Sequence, residues 1–498
     1  MSGVATTSAQ TRLMAAQAEA LVARVGPFAG ITSDSRRVAP QLAFAAYPGA
    51  VRDGRAFIGD AIARGAAAIL FEARGFDWSA GWRVPHAAVA DLRSRLGFIA
   101  AAVYGRPSQS LWMIGVTGTN GKTSCSHWTA QALSKCGRRA AVTGTLGNGF
   151  VDALAPTGNT TPDACVTQEL LARFLGEGAA AVAMEVSSHG LDQGRVNGVS
   201  FDVALFTNLT RDHLDYHATM AAYGDAKARL LQWPGLRCAV INMGDAFGRE
   251  LIRRVRAARQ RVITYGADGA DVIATRVVAS TSGMTIDVAT AHGKGTIESS
   301  LVGEFNVQNL LGVLGVLLAS DIALDAALDA LGHVTAPPGR MQRLGGGSQP
   351  LVIVDYAHTP DALEQVLRAV RPALQEGGRL IAVFGCGGDR DRGKRAEMAA
   401  VAARLAERVI VTTDNPRTED PRRIADDVIE GFRGVRTEWG VDLDRGSAIE
   451  RALDDARAGD IIVVAGKGHE DYQETNGERI PFSDARVVAD ALALRTDR

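Results

Sequence analysis

"IGVTGTNGKTS", residues 114–124, runs from an apolar lead-in through a glycine turn to Lys122, Thr123 and Ser124. The order predicts a strand, a turn at Gly118, Thr119, Asn120 and Gly121, and a helix opening near Lys122. A helix N-terminus presents unpaired N–H groups and a partial positive charge to an anion. Gly118 and Gly121 let the backbone approach phosphates, Lys122 neutralises them, and the Thr123 hydroxyl suits Mg²⁺. Val116 stands where the longer G-x-x-x-x-G-K-[ST] loop has glycine, so this is a shortened form. A glycine turn beside a solvated lysine is the plainer alternative. Strand, glycines, G-K-T and helix in one order argue against it.

Short apolar runs alternate with helical patterns on both sides of this loop. "MIGVTG", "AAVTGT", "AAVAMEV", "VALFTNL" and "CAVINM" precede residue 250, and "LVIVDY", "LIAVFG", "RVIVTTD" and "DIIVVAGKG" follow residue 350. Such runs read as strands buried on both faces, the mark of parallel sheets covered by helices. Polar motifs follow the runs, as expected where functional loops sit at the carboxyl ends of strands. The N-terminal part is less regular, with "AFAAYPG" and "AAAILFEA" as its best strands. Gly105 and Pro107, then Pro337, Pro338 and Gly346, punctuate two joints. The expectation is an α/β protein of three domains: a smaller N-terminal α/β domain (1–110), a central P-loop parallel-sheet domain (111–336) and a C-terminal Rossmann-like domain (337–498).

With 46% hydrophobic and 22% charged residues, the chain of 498 has globular composition, and a formal net charge of −1 gives no global field for nucleic acid or anionic membrane. No run approaches the ~20 apolar residues of a membrane span; "LLGVLGVLLAS" after Asn309 reads as a buried helix. The Ala-rich N-terminus lacks a basic start followed by an apolar core, so no signal peptide is expected. The five cysteines form no C-x-x-C, which speaks against a disulfide framework or thiolate zinc site and fits a reducing cytoplasm.

With its shortened loop, the chain resembles the Mur ligase family, whose members use ATP to convert a carboxylate into an acyl phosphate that an amine then attacks. The ordered set G-T-N-G-K-T, N-T-T-P, E-V-S-S-H, D-H-L-D-Y-H, D-Y-A-H-T-P-D, D-N-P-R and G-K-G-H-E carries the resemblance. It implies ATP as co-substrate, held by Gly118, Thr119, Asn120, Gly121, Lys122, Thr123 and Ser124, and by Asn306, Asn309, Arg340, Asp355 and His358 when the third domain closes. Asparagines near a helix start also read as plain caps. Glu185 and His213, each following an apolar strand, are implied ligands of a second Mg²⁺, since oxygen donors and one imidazole suit that ion beside phosphates. Lys227 lies in a helical pattern and by itself reads as surface charge; the resemblance makes it an N6-carboxylated lysine, an anionic carbamate in place of an ammonium. Lys122, Lys227, Glu185 and His213 are then the catalytic set.

"ITSDSRRVAPQLAFAAYPGAVRDG" resembles the family's uridine-nucleotide region, which implies that Ser33, Ser35, Ala50, Val51 and Arg52 contact the UDP-sugar. Gln41-Leu42-Ala43-Phe44 departs from the usual D-[LV]-F-x-A there. Asn159, Thr160 and Thr161, before a helix at Pro162, together with Ser187, Gln193 and Arg195, are the implied contacts of a muramoyl-dipeptide. For the amine, Arg390 and Arg417 supply bidentate forks to carboxylate, while Asp414, Asn415, Pro416, Gly466 and Glu470 complete a site able to take an ammonium. D-N-P-R is the form of family members that add meso-diaminopimelate, whose second carboxylate gives Arg417 a physical reason; lysine-adding relatives lack that arginine. A lysine-adding ligase, a folylpolyglutamate synthetase and a nucleotide switch are the competing readings. The expected partners are these small molecules, with no nucleic acid or membrane, on a monomer.

Overall fold

The computed structural model describes residues 8–49, 52–280 and 283–496. It divides into two compact units, Met1–Ile273 with Leu311–Ala330, and Ala274–Leu310 with Leu331–Arg498.

The first unit opens with α1 (Ser8–Val25), β1 (Gly30–Thr32), β2 (Leu42–Ala46), α2 (Ile58–Ala63), β3 (Ala68–Glu72), β4 (His86–Val89) and α3 (Leu92–Val103). Its four strands pair in parallel in the order β1-β2-β3-β4. There follow β5 (Trp112–Thr117), α4 (Lys122–Lys135), β6 (Ala140–Gly144), β7 (Gly147–Phe150), β8 (Ala153–Ala155), α5 (Ala164–Gly176), β9 (Ala181–Glu185), α6 (Ser188–Asp192), β10 (Val203–Phe206), α7 (Leu214–His217), α8 (Met220–Leu231), β11 (Cys238–Asn242), α9 (Ala246–Ala257) and β12 (Val262–Tyr265). The strand order is β12-β11-β10-β5-β9-β6-β7-β8. The pairs from β12 to β6 are parallel, and β6, β7 and β8 turn back antiparallel. Every residue of β6, β9, β10 and β11 is buried, which is why these runs show no alternation. Each fully buried Val, Leu or Ile there contributes roughly 1.5–3 kcal/mol.

Next come β13 (Val272–Ser280), β14 (Gly283–Thr290), β15 (Gly293–Ser299), α10 (Glu304–Ala319) and α11 (Leu324–Gly332). The apolar segment after Asn309 is thus the body of a helix, most of it buried. In the second unit β16 (Gln342–Gly345), β17 (Leu351–Asp355), α12 (Pro360–Val370), β18 (Leu380–Phe384), α13 (Gly393–Leu405), β19 (Arg408–Val411), α14 (Pro421–Ile429), β20 (Glu438–Val441), α15 (Arg445–Asp455), β21 (Ile461–Ala465), β22 (Tyr472–Thr475), β23 (Glu478–Pro481) and α16 (Asp484–Thr496) follow. The order is β16-β17-β21-β18-β19-β20, parallel but for the edge strand β16. The α/β class with parallel sheets is as the apolar runs predict.

Among the described residues no helix is long and apolar enough to cross a membrane. Asn306 and Asn309 do not fit the plain-cap alternative. They lie inside α10 rather than at its cap: the Asn306 side chain donates to the Val302 carbonyl at 2.7 Å, and Asn309 donates to Asn306 Oδ1 at 3.2 Å. Both are buried.

Candidate active site

The phosphate loop leaves β5 at Thr117 and enters α4 at Lys122, with Gly121 at φ 83° as the left-handed residue before the helix. A methyl group on Gly118 would lie 1.8 Å from Thr207 Oγ1, so the loop presses against the end of β10 and only glycine fits. Thr207 Oγ1 donates to the Asn120 carbonyl at 2.6 Å, and Asn120 N–H donates to Asn208 Oδ1 at 2.9 Å. Thr119 N–H donates to the Asn208 carbonyl at 2.8 Å. Ser124 lies in the first turn of α4.

The Lys122 ammonium folds over its own loop, donating to the carbonyls of Gly118 and Thr119 at 3.0 and 2.8 Å. Lys227 comes from α8, a helix opened by Thr219, whose hydroxyl accepts from Ala222 N–H. Its side chain is 1% exposed, donates to the same Gly118 carbonyl at 2.6 Å and lies 4.4 Å from the Tyr223 ring centroid. Burial first, and then the Lys122 charge, hold its pKa well below that of an ordinary lysine, with Asp212 opposing. Lys227 is therefore no surface lysine. Tyr223 is itself pushed up to about 12 by burial.

Glu185 ends β9, fully buried, and accepts from Thr123 Oγ1 at 3.1 Å, Thr145 N–H at 2.8 Å and Thr145 Oγ1 at 3.3 Å. Gly144 makes room for it: a methyl there would sit 2.1 Å from Glu185 Oε1. The Glu185 backbone carbonyl accepts from Thr161 Oγ1 at 2.9 Å. His213 is exposed, 3.4 Å from Asp212 and edge-on to His189 and Tyr223. It meets the Tyr223 ring, which also lies against Lys227. His217 bonds Ser188 Oγ at 2.9 Å. Among the described residues no group of three or more His, Cys, Asp or Glu side chains is placed to hold a metal. The adjacent Thr123 hydroxyl and Glu185 carboxylate nevertheless make a hard oxygen pair at the phosphate loop, which fits Mg²⁺.

A continuous polar chain leads from this pair. Thr160 Oγ1 lies 3.0 Å from Thr145 Oγ1; Thr161 Oγ1 and Ser187 Oγ are 3.1 Å apart. Arg195 donates to the Thr161 carbonyl at 2.7 Å and, through Nε and Nη2, to Gln193 Oε1 at 3.0 and 2.8 Å. Burial lowers the Arg195 pKa. Asn159 turns back on Thr157. The helix after these residues starts at Ala164, and the Asp163 carboxylate already takes its first N–H groups. Hydroxyls and Arg195, rather than a free helix end, are what this segment offers a ligand.

Farther along the first unit, Ser33 follows β1 and Asp34 caps the single turn Ser35–Arg37. Tyr47 was not anticipated: burial raises its pKa, with nearby Ser33 opposing. Its place in the quoted "AAYPG" turn was the available signal. Arg52 is exposed, its carbonyl accepting from Gly49 N–H at 2.8 Å; Ala50 and Val51 lie outside the described residues.

In the second unit, Asp355 accepts from Met341 and Ala357 N–H, both at 2.8 Å, and burial raises its pKa. Arg340 lies over the Tyr356 ring, and His358 bonds the Tyr356 carbonyl through Nδ1. The D-N-P-R segment follows β19. Arg417 has φ 54° and is pinned on both sides: its N–H donates to the Glu474 carbonyl at 3.0 Å and its carbonyl accepts from Asn476 N–H at 2.7 Å. Its guanidinium donates to the Gly388 carbonyl at 2.8 Å. A methyl on Gly387 would lie 3.0 Å from Arg417 Nη1 and 3.7 Å from Arg390 Cγ, so the two arginines flank one glycine. Pro416 is buried. Asp414 is 7% exposed, its carboxyl raised by burial, and a methyl on Gly466 would sit 2.7 Å from its Oδ2. Asn415 Nδ2 donates to Glu470 Oε2 at 2.8 Å. Beneath lies a pair that the sequence reading missed, Arg445 and Asp484, 2.7 Å apart and both fully buried. Arg445 also donates to the carbonyls of Thr413 and Ala465, the residues preceding Asp414 and Gly466. The β22–β23 hairpin, with its two-residue Asn476-Gly477 turn, was likewise missed, although Asn-Gly between strands is a legible hairpin signal.

Known proteins match the chain along most of its length. A Mur ligase middle domain matches residues 116–317, a Mur ligase glutamate ligase domain 339–468 and a Mur ligase family catalytic domain 27–104. The UDP-N-acetylmuramoyl-L-alanyl-D-glutamate–2,6-diaminopimelate ligase of Chromobacterium violaceum is 50% identical, covering 95% of this chain and 96% of its own. The protein of that name from Ectopseudomonas mendocina is 52% identical, covering 93% and 94%. A solved structure of a ligase of the same name superposes with a TM-score of 0.72 at 40% identity, covering 94% of this chain and 96% of the other.

Proposed function

The chain belongs to the Mur ligase family, and from that premise we propose that it is an ATP-dependent amide ligase adding meso-diaminopimelate to UDP-N-acetylmuramoyl-L-alanyl-D-glutamate for peptidoglycan synthesis. The observation that carries the amine choice is Arg417: a left-handed backbone held by the β22–β23 hairpin aims a guanidinium beside Arg390. A second carboxylate, which lysine lacks, is what such a pair of forks would grip.

The reaction divides by residue. Residues 1–110 hold the UDP-sugar through Ser33, Ser35, Tyr47 and Arg52, residues 111–336 bind ATP, and residues 337–498 take the amine. The dipeptide lies along Asn159, Thr160, Thr161, Ser187, Gln193 and Arg195, with the Arg195 guanidinium near its carboxylates. The phosphate loop and Lys122 bind the triphosphate; Asn306, Asn309, Arg340, Asp355 and His358 are further nucleotide residues. A carboxylate oxygen of the dipeptide attacks the γ-phosphorus in line, and ADP leaves. The amine nitrogen then attacks the acyl carbon, phosphate departs and the nitrogen loses its proton. Thr123, Glu185, His213 and a carbamate on Lys227 would hold Mg²⁺, two ions when loaded, which would supply neutralisation of the phosphate charge. The lowered pKa of Lys227 supports the carbamate, because CO₂ adds to a neutral amine. The enzyme works as a cytoplasmic monomer.

Purified protein with ATP, Mg²⁺ and the UDP-muramoyl-dipeptide is offered meso-diaminopimelate, L-lysine or no amine. Product with diaminopimelate is expected. Equal product with L-lysine would overturn the amine assignment, and ATP hydrolysis indifferent to the dipeptide would favour a nucleotide switch.

A further inference from the structure

Lys467 lies between two residues of the proposed amine site and has no part in the chemistry described so far. Its side chain is fully buried, in the loop between β21 and β22, with left-handed Gly466 and Gly468 on either side. Its ammonium donates to Asn415 Oδ1 at 3.0 Å and to Glu470 Oε2 at 3.1 Å. Asn415 Oδ1 also accepts from Glu474 N–H at 2.9 Å. Two donors on that oxygen fix which way the amide faces, so its NH₂ must point at Glu470, where it donates to Oε2 at 2.8 Å. Lys467, Asn415 and Glu470 therefore close a triangle of charge-assisted bonds, and both donors fall on the same carboxylate oxygen.

The consequence is a division of labour within Glu470. Oε2 is taken by Asn415 and Lys467, whereas Oε1 has no protein partner among the described residues and belongs to a side chain 18% exposed. We propose that Lys467 is a positioning residue for the incoming amine: it locks the Asn415 amide and the inner oxygen of Glu470 so that Oε1 alone is presented to the substrate's ammonium. This rests on the proposed diaminopimelate reading and deepens it. Without the lysine the amide can turn over and the carboxylate can rotate, and the acceptor for the ammonium is no longer fixed before binding.

The test is steady-state kinetics with each substrate varied in turn. Lys467→Met keeps the stem and removes the donor; Lys467→Gln keeps a donor toward Asn415. The KM for meso-diaminopimelate should rise about tenfold or more in Lys467→Met and less in Lys467→Gln, with the KM values of ATP and the dipeptide within about twofold, a local effect of the size expected for a buried charge-assisted bond. In a Glu470→Ala background Lys467→Met should add little, since the two act through one group. A second arm leaves Lys467 intact. Because two donors face the inner position, Glu470→Gln must turn its oxygen inward and its NH₂ toward the ammonium, so its diaminopimelate KM should exceed that of Glu470→Ala. An unchanged amine KM in Lys467→Met, a parallel rise in all three KM values, or tighter amine binding by Glu470→Gln than by Glu470→Ala would overturn the role. Absence of diaminopimelate-dependent product in the unaltered enzyme would instead defeat the functional reading beneath it.

Discussion

Lys122 and Lys227 donate to one carbonyl oxygen, that of Gly118, from 3.0 and 2.6 Å. Burial first, and then the nearby Lys122 charge, hold the Lys227 pKa well below that of an ordinary lysine. A neutral amine there is what the proposed carbamate would form from, and that carbamate would lie at the phosphate loop. Lys227→Ala should lose activity by about 100-fold or more, on the scale of removing one preorganised charge from a transition state, and a short carboxylic acid should restore part of it. Intact-mass measurement under bicarbonate should show one added CO₂, absent from the alanine variant. Full activity of Lys227→Ala without rescue would remove its role.

Glu185 is the buried hub between the phosphate loop and the Thr160–Thr161 segment. Glu185→Gln keeps the shape but turns one acceptor into a donor facing Thr145 N–H or the Thr123 hydroxyl. It should lower kcat by about 100-fold or more and raise the Mg²⁺ concentration for half activity. It should also lower stability by roughly 1–3 kcal/mol, the range for leaving a buried polar group unpaired. Magnesium titration with a denaturation curve reads both, and a variant with an unchanged Mg²⁺ dependence would take Glu185 out of the metal set.

Arg417→Ala should raise the diaminopimelate KM by about 100-fold, a loss of roughly 2.7 kcal/mol, and leave the ATP KM nearly unchanged. Arg417→Lys should recover little, because one ammonium does not reproduce a planar fork. A shift confined to the ATP KM would show the residue to be misassigned.

Glu419 carries an acid-sensitive part of the stability of the second unit. The Arg395 guanidinium, 1% exposed, holds the Glu419 carboxyl down to about 2 from an ordinary 4.5. A carboxyl lowered on folding stabilises above its unfolded pKa and loses that contribution as pH falls through the folded one. Stability should therefore decline from about pH 4.5 toward pH 2, and Glu419→Gln should flatten that decline while lowering stability at pH 7. Identical acid limbs for both proteins in urea titrations would contradict the pairing.

The phosphate loop was legible because its meaning is local: strand, glycines, lysine and helix succeed one another, and no distant partner is needed to read them. The buried parallel strands were legible for the same reason, since burial on both faces erases alternation within each run. What escaped depends on residues far apart in the chain. Nothing near Arg445 announces Asp484, and Lys467 looks like any lysine in a glycine loop until Asn415 is brought to it by β19. Lys227 reads as exposed by helical pattern alone, and its burial follows from α8 packing against the loop that begins at Gly118. The cap alternative for Asn306 stayed open in the sequence because a cap and a helix-interior amide share the same residue type; its partner, the Val302 carbonyl, tells them apart.

The account turns on transfer of the γ-phosphoryl group to a carboxylate of the dipeptide, and isotope tracing reads that step directly. UDP-muramoyl-dipeptide labelled with ¹⁸O in its terminal carboxylates is turned over with ATP and meso-diaminopimelate, and the released phosphate is analysed by mass. Each phosphate should carry one ¹⁸O from the dipeptide, the oxygen left behind when the amide forms. Unlabelled phosphate, with the displaced ¹⁸O recovered in AMP or in water instead, would contradict the mechanism.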